Sequence, residues 1–265
     1  TNMSLNLGTG TFFLDQGGLM VIAVAGNSWG STLAAGGTVR TDVANALPAT
    51  ATLYVGKASQ PGGTLNLNGF DQTVSALATD TTNAGSRTVT SPTRATLILN
   101  QNVNTTFNGL LTGAVRLVKT GTGQLILTNG MSTTTGDLIV SNGTFVIENS
   151  AGFSASTNVV VTGGTLELRT ATAFPDNASL SITSGAKVRI KTGLTETVGR
   201  LFLGGVPQLH GTYGAFGSGA AHTNGFFDGT GVLSVANGPA VTPTSYTWNA
   251  GGGSDTSLST AANWE

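Results

Sequence analysis

The chain has 265 residues, 11 basic and 12 acidic, so 9% are charged against roughly 25% in ordinary soluble domains. Gly fills 39 positions and Thr 44, whereas Glu, Lys and Arg, the formers of helical surfaces, total 15; an all-β chain is expected. A net charge of −1 without a basic cluster excludes nucleic acid and anionic lipid as electrostatic partners. The longest apolar run, residues 19–25, is far shorter than the roughly 20 residues of a membrane helix, so no membrane span is expected. With no Cys there is neither a disulfide framework nor a thiolate metal site. The first residues carry no charged or apolar leader, which reads as a signal already removed or as a piece of a longer chain.

In chain order, Leu5, Leu7, Phe12 and Phe13 alternate in the first segment, which has no polar cap. Trp29 follows between Ser28 and Gly30. It reads as a residue packed over a corner of the fold, with stacking on a sugar ring as the other reading. Short runs of the form Gly-x-apolar-x-apolar then recur: GTLNL from Gly63, ATLIL from Ala95, GQLIL from Gly123, GTFVI from Gly143, GTLEL from Gly164, AKVRI from Ala186 and GVLSV from Gly231. From Gly123 to Ala186 the spacings are 20, 21 and 22 residues. Alternation within each run predicts a strand, and a fixed period near 21 predicts one solenoid coil per repeat.

Aligned coils give columns. Phe145, Leu166 and Val188 form one inward stack and Ile147, Leu168 and Ile190 a second. On the opposite face Glu167 falls beside Arg189 and Glu148 beside Arg169, as cross-coil ion pairs on a solvated wall. Ile126 and Val146 share that outward face, so part of it is expected to be covered. A longer duplication is superimposed. The stretch from Gly37 (GTVRTDVANALPATATLYV) lies on that from Gly143 (GTFVIENSAGFSASTNVVV) without a gap, and the run from Gln72 resembles that from Glu196. Residues 1–235 are therefore expected to form one continuous solenoid of two related cycles, 1–100 and 101–235, followed by a linker, 236–245, and a tail, 246–265.

The run TGAVRLVKTGTGQLILTNG from Thr112, continued by TGDLIVSNGTFVI from Thr135, resembles the autotransporter-associated β-strand repeat, in which a Lys-Thr-Gly-x-Gly turn joins short strands. The resemblance implies a right-handed parallel β-helix in a secreted or surface-displayed bacterial protein, commonly a passenger stalk. No catalytic residues belong to the repeat. With coils of about 20–22 residues, the expectation is about 10 to 11 coils and some 50 Å of length at ~4.8 Å per coil.

Residues 201–235 lose the strict period and read as a closing segment. The tail resembles the start of a fresh unit; it either caps its own body or docks on a second copy. Tyr246, Trp248 and Trp264, with Phe12 and Phe13 at the other end, are the candidate self-assembly residues. Enzyme chemistry is not expected. The eight Asp and four Glu are scattered, without the paired carboxylates of a polysaccharide-active β-helix. His210 and His222 read as loop residues, with a metal site that includes Asp228 as the weaker reading. Gly121-Thr122-Gly123 and Gly251-Gly252-Gly253 read as coil turns, since no helix follows to complete a phosphate site. Neither cofactor nor metal is expected. The function expected is an extracellular structural protein, a stalk or self-assembling fibre subunit with itself as partner. An adhesin or glycan-binding module on the cell surface is the alternative, and a polysaccharide-active enzyme the third reading.

Overall fold

A computed structural model describes residues 3–15, 17–57, 62–79, 86–129, 132–148 and 153–239. These residues form an all-β solenoid of about 8 turns, with stacked parallel strands and no helix. The wall that shows the repeat most plainly, face one, carries Thr105–Phe107, Gln124–Leu127, Thr144–Ile147, Thr165–Leu168 and Lys187–Ile190. Gln124 lies opposite Thr144, Thr144 opposite Thr165, and Thr165 opposite Lys187, which reproduces the 20, 21 and 22 residue spacing. Thr11–Leu14, Ser31–Ala34, Thr52–Val55 and Ala76–Ala78 continue the same wall toward the N-terminus. The two stretches are joined where the Thr79 amide donates to the Thr106 carbonyl at 3.1 Å and the Thr105 hydroxyl to the Leu77 carbonyl at 2.6 Å.

Two further faces share one sheet of 11 strands. Face two holds Leu19–Ile22, Thr38–Thr41 and Gly62–Asn66. Face three holds Gln72–Val74, Leu138–Val140, Asn158–Val161, Ser179–Ile182 and Arg200–Leu203. The long strands Ser86–Asn100 and Leu110–Thr120 bend from one face to the other and so fuse them. At that bend the register breaks: Ser91 lies opposite Gly113 but Ala95 opposite Val115, so three residues bulge against one.

Alternation explains what lies inside. Leu125, Phe145, Leu166 and Val188 stack in register, as do Leu127, Ile147, Leu168 and Ile190, all out of contact with solvent. Each such side chain contributes about 1.5–3 kcal/mol by leaving water. Val146, on the outward side, is also fully buried, and Ile126 is half-buried. The turns between faces three and one stack on each other so closely that a Cβ at Gly164 would meet the Gly143 carbonyl, and both residues have positive φ, 66° and 67°. Those two positions have room only for glycine. Hydroxyls ladder along the axis, as at Thr11–Ser31, 2.7 Å, and Thr162–Ser141, 3.0 Å, so the abundant Thr and Ser satisfy their own neighbours.

One expectation is revised. The coils number about 8, not 10 to 11, for two reasons. Some turns are longer than the period, Thr52 lying opposite Ala76, 24 residues on. In addition, the residues past Leu203 form antiparallel pairs, and only the short strands Phe227–Asp228 and Val232–Val235 stack in parallel on the last coil. The duplication is also rotated. Thr38–Thr41 is on face two, but its sequence counterpart Thr144–Ile147 is on face one; Thr52–Val55 is on face one, but its counterpart Asn158–Val161 is on face three. Every face accepts the same alternating strand, so sequence similarity aligns strand with strand without fixing the wall.

Candidate functional site

The two ends of the solenoid differ. At the N-terminal end, Thr11–Leu14 and Leu19–Ile22 are the outermost strands of their sheets among the described residues. Residues 5–7 complete that coil: the Leu7 amide bonds to the Ser28 carbonyl at 2.7 Å, the Ser28 amide to the Leu5 carbonyl at 2.9 Å, and Asn27 Oδ1 accepts from the Leu5 amide at 2.8 Å. Met3, Leu5, Leu7, Phe13, Leu19, Met20 and Val21 are all exposed, Met3 to 82%. An edge of unpaired backbone groups flanked by apolar side chains is a template for another strand.

The candidate anchors at this end are unequal. Phe12 is half-buried and stacks on Trp29, with ring centroids 4.8 Å apart. Trp29 itself is buried, and its indole N–H donates to the Thr32 hydroxyl at 2.8 Å; it packs a corner and offers no face to a sugar. Phe13 is exposed, with the Lys57 ammonium 4.7 Å from its ring centre. Tyr246, Trp248 and Trp264 lie outside the described residues.

At the C-terminal end each face meets an added strand. Arg200–Leu203 on face three turns through Gly204 and Gly205, both at positive φ, into the antiparallel strand Val206–Pro207, the geometry of a tight hairpin. Lys187–Ile190 is covered by Phe227–Asp228, and Thr195–Val198 by Val232–Val235, which pairs antiparallel with Gly211–Gly214. This is where the sequence loses its period. His222 stacks on Tyr213 at 4.7 Å, whereas Asp228 turns to Arg189 at 3.6 Å in a separate sheet. Among the described residues no group of three His, Asp or Glu could hold a metal ion.

The charged rows of face one form a ladder along the axis. Arg169 reaches Glu167 at 2.6 Å and Glu148 at 3.2 Å, while Arg189 stands 3.9 Å from Glu167. The Glu167 carboxylate holds the Arg169 guanidinium above its ordinary pKa. These groups are partly exposed and screened by salt, so they align coils more than they stabilise them.

Buried polar side chains, by contrast, staple the corners, and the sequence reading missed them. Gln72 Oε1 accepts from the Leu47 amide at 3.0 Å, while its Nε2 donates to the Val43 carbonyl at 2.8 Å. Gln101 Nε2 donates to the Gln124 carbonyl at 2.7 Å and the Thr105 hydroxyl at 2.9 Å. Glu196 accepts from the Ala173 amide at 3.2 Å and the Phe174 amide at 2.8 Å, and Lys119 Nζ donates to the carbonyls of Thr120 and Gly121 at 2.8 and 2.9 Å. Alternation carried the signal. Val115, Leu117 and Lys119 fall on one side of their strand, as do Glu196 and Val198. These groups close corner backbone that would otherwise be buried without partners.

Glu196 yields a test. Burial pushes its pKa up to about 7 from 4.5, against the pull of the two amides. A raised folded-state pKa means that the folded form binds the proton more tightly, so the stability from this group is present below about pH 4.5 and lost as pH rises through 7. Relative to Glu196→Gln, the native chain should gain at most about 3 kcal/mol on acidification across that window. Urea unfolding of both chains between pH 8 and 4.5 checks this; parallel profiles would refute it.

No family model matches the chain, and neither a curated protein nor a solved structure does.

Proposed function

We propose that this chain is an extracellular structural protein, a stalk segment or fibre subunit built from autotransporter-type β-strand repeats, whose partner is a further set of coils of its own kind. The observation that carries the reading is the asymmetry of the ends: among the described residues, the N-terminal coil presents open strands and exposed apolar side chains, whereas the C-terminal strands are covered. The extracellular placement rests on the repeat resemblance and on a charge-poor surface whose hydroxyls ladder along the axis. The work of such a protein is mechanical, its backbone ladders and aliphatic stacks making a stiff rod.

Negative-stain imaging of three chains tests the assembly: the intact protein, one cut before Val241, and one carrying Leu19→Lys and Val21→Lys on the open edge. Filaments are expected from the intact chain and not from the lysine variant, since edge charges block strand addition. Loss of filaments in the cut chain as well would assign the contact to the tail. Monomers from all three would refute the fibre subunit and leave the stalk.

A further inference from the structure

The register break where the long strands of faces two and three bend, between Gly113 and Val115, re-aims a side chain, as bulges do next to binding sites. Arg94 lies in the bulged segment and is largely exposed. Its guanidinium comes within 3.5 Å of the Asp137 carboxylate, and Arg116 Nε stands 3.6 Å from the same oxygen. Neither distance is a hydrogen bond, and the enclosed Arg116 Nε has no acceptor. Two guanidinium groups therefore share one carboxylate.

A groove of about 540 Å³ opens over Arg94 and Arg116, lined also by Phe70, Asp71 and Thr96. Thr96 and Arg116 are register partners on adjacent coils, and the Thr96 amide is held by Asp71 Oδ1 at 2.6 Å. Beside Asp71 the ring of Phe70 is 36% exposed. From Asp71 to Asp137 the row crosses four coils, about 14 Å at ~4.8 Å per coil. We propose that this groove binds a short acidic oligosaccharide, with Phe70 against the face of a sugar ring and Arg94 and Arg116 on a uronate carboxylate. An aromatic face supplies area at little entropic cost, and guanidinium supplies two parallel donors matched to a carboxylate. The Arg94 side chain, 70% exposed, and the exposed third of Arg116 turn guanidinium N–H groups to the groove beside Asp137, where a ligand carboxylate would meet them. Such a site goes beyond the structural role, and filament imaging does not read it, so the two stand or fall separately.

Calorimetric titration with tetragalacturonate tests the proposal, using the full chain at low salt, with maltotetraose and acetate as comparisons. Saturable binding of tetragalacturonate is expected, weakened about tenfold or more by Arg94→Gln and by Phe70→Ala, and weakened by salt. Both positions are exposed enough for the variants to keep the native circular dichroism spectrum. Absence of saturable binding, binding unchanged in both variants, or equal binding of acetate per carboxylate would each overturn it.

Discussion

Replacing Phe153 by alanine is expected to cost about 3–5 kcal/mol, the range for removing a buried aromatic side chain from a core that cannot collapse onto the space. Phe153 is fully buried in a corner where three rings meet: its centroid is 6.0 Å from that of Phe145 and 6.4 Å from that of Phe174. Its amide also donates to the Ala173 carbonyl at 2.7 Å, and it bridges to Ser132, so the ring and the backbone tie together successive coils. Those ladders hold the surrounding backbone apart after the ring is gone. Phe216→Ala, at a position 75% exposed, should stay within about 0.5 kcal/mol. Urea unfolding of the two variants measures both, and equal midpoints would sink the account.

Lys119→Ala is expected to destabilise by a similar amount, about 3–5 kcal/mol, because it leaves buried carbonyls without their donor and opens a cavity. Besides Thr120 and Gly121, the ammonium contacts the Gln101 carbonyl of the preceding coil at 3.4 Å and the Asn142 carbonyl of the next at 3.3 Å. Burial pulls its pKa down to about 8 from 10.5. A depressed folded-state pKa means that the folded form releases the proton first, so stability from this group is lost as pH falls through about 8 and is fully present above 10.5. The native chain should therefore gain at most about 3 kcal/mol between pH 8 and 10.5. Lys119→Met keeps the apolar stem and should lose that pH dependence, and a slope that persists in Lys119→Met would assign it to other groups. The window lies above that of Glu196, so a profile from pH 4.5 to 10.5 separates the two.

The parts of this fold legible in the sequence are those that period and alternation determine. The inward columns through Phe145 and Ile147 and the row of Glu148, Glu167, Arg169 and Arg189 follow from counting residues along a repeat, because register in a stack is a matter of equal spacing. The wall on which a strand sits is not determined that way. Thr38–Thr41 and Thr144–Ile147 share a pattern and occupy different faces, since the choice depends on how many corners precede them. Lys119 and Glu196 were hidden by residue type: charged side chains are rarely buried, and that prior outweighed an alternation that places both inside. The groove beside Arg94 was hidden for a third reason. It gathers residues from the strands and turns of four coils, and no local pattern in the chain records their meeting.

The hydrogen bonds of the three faces run along the axis, from coil to coil, and this sets how the rod yields under load. Tension between its ends falls on the bonds of a whole turn together, and rupture of one turn frees about 21 residues, ~70 Å of extended chain, in place of ~4.8 Å of solenoid. The neighbouring turns keep their own ladders. A solenoid of this design, loaded end to end, lengthens one coil at a time and stays in one piece.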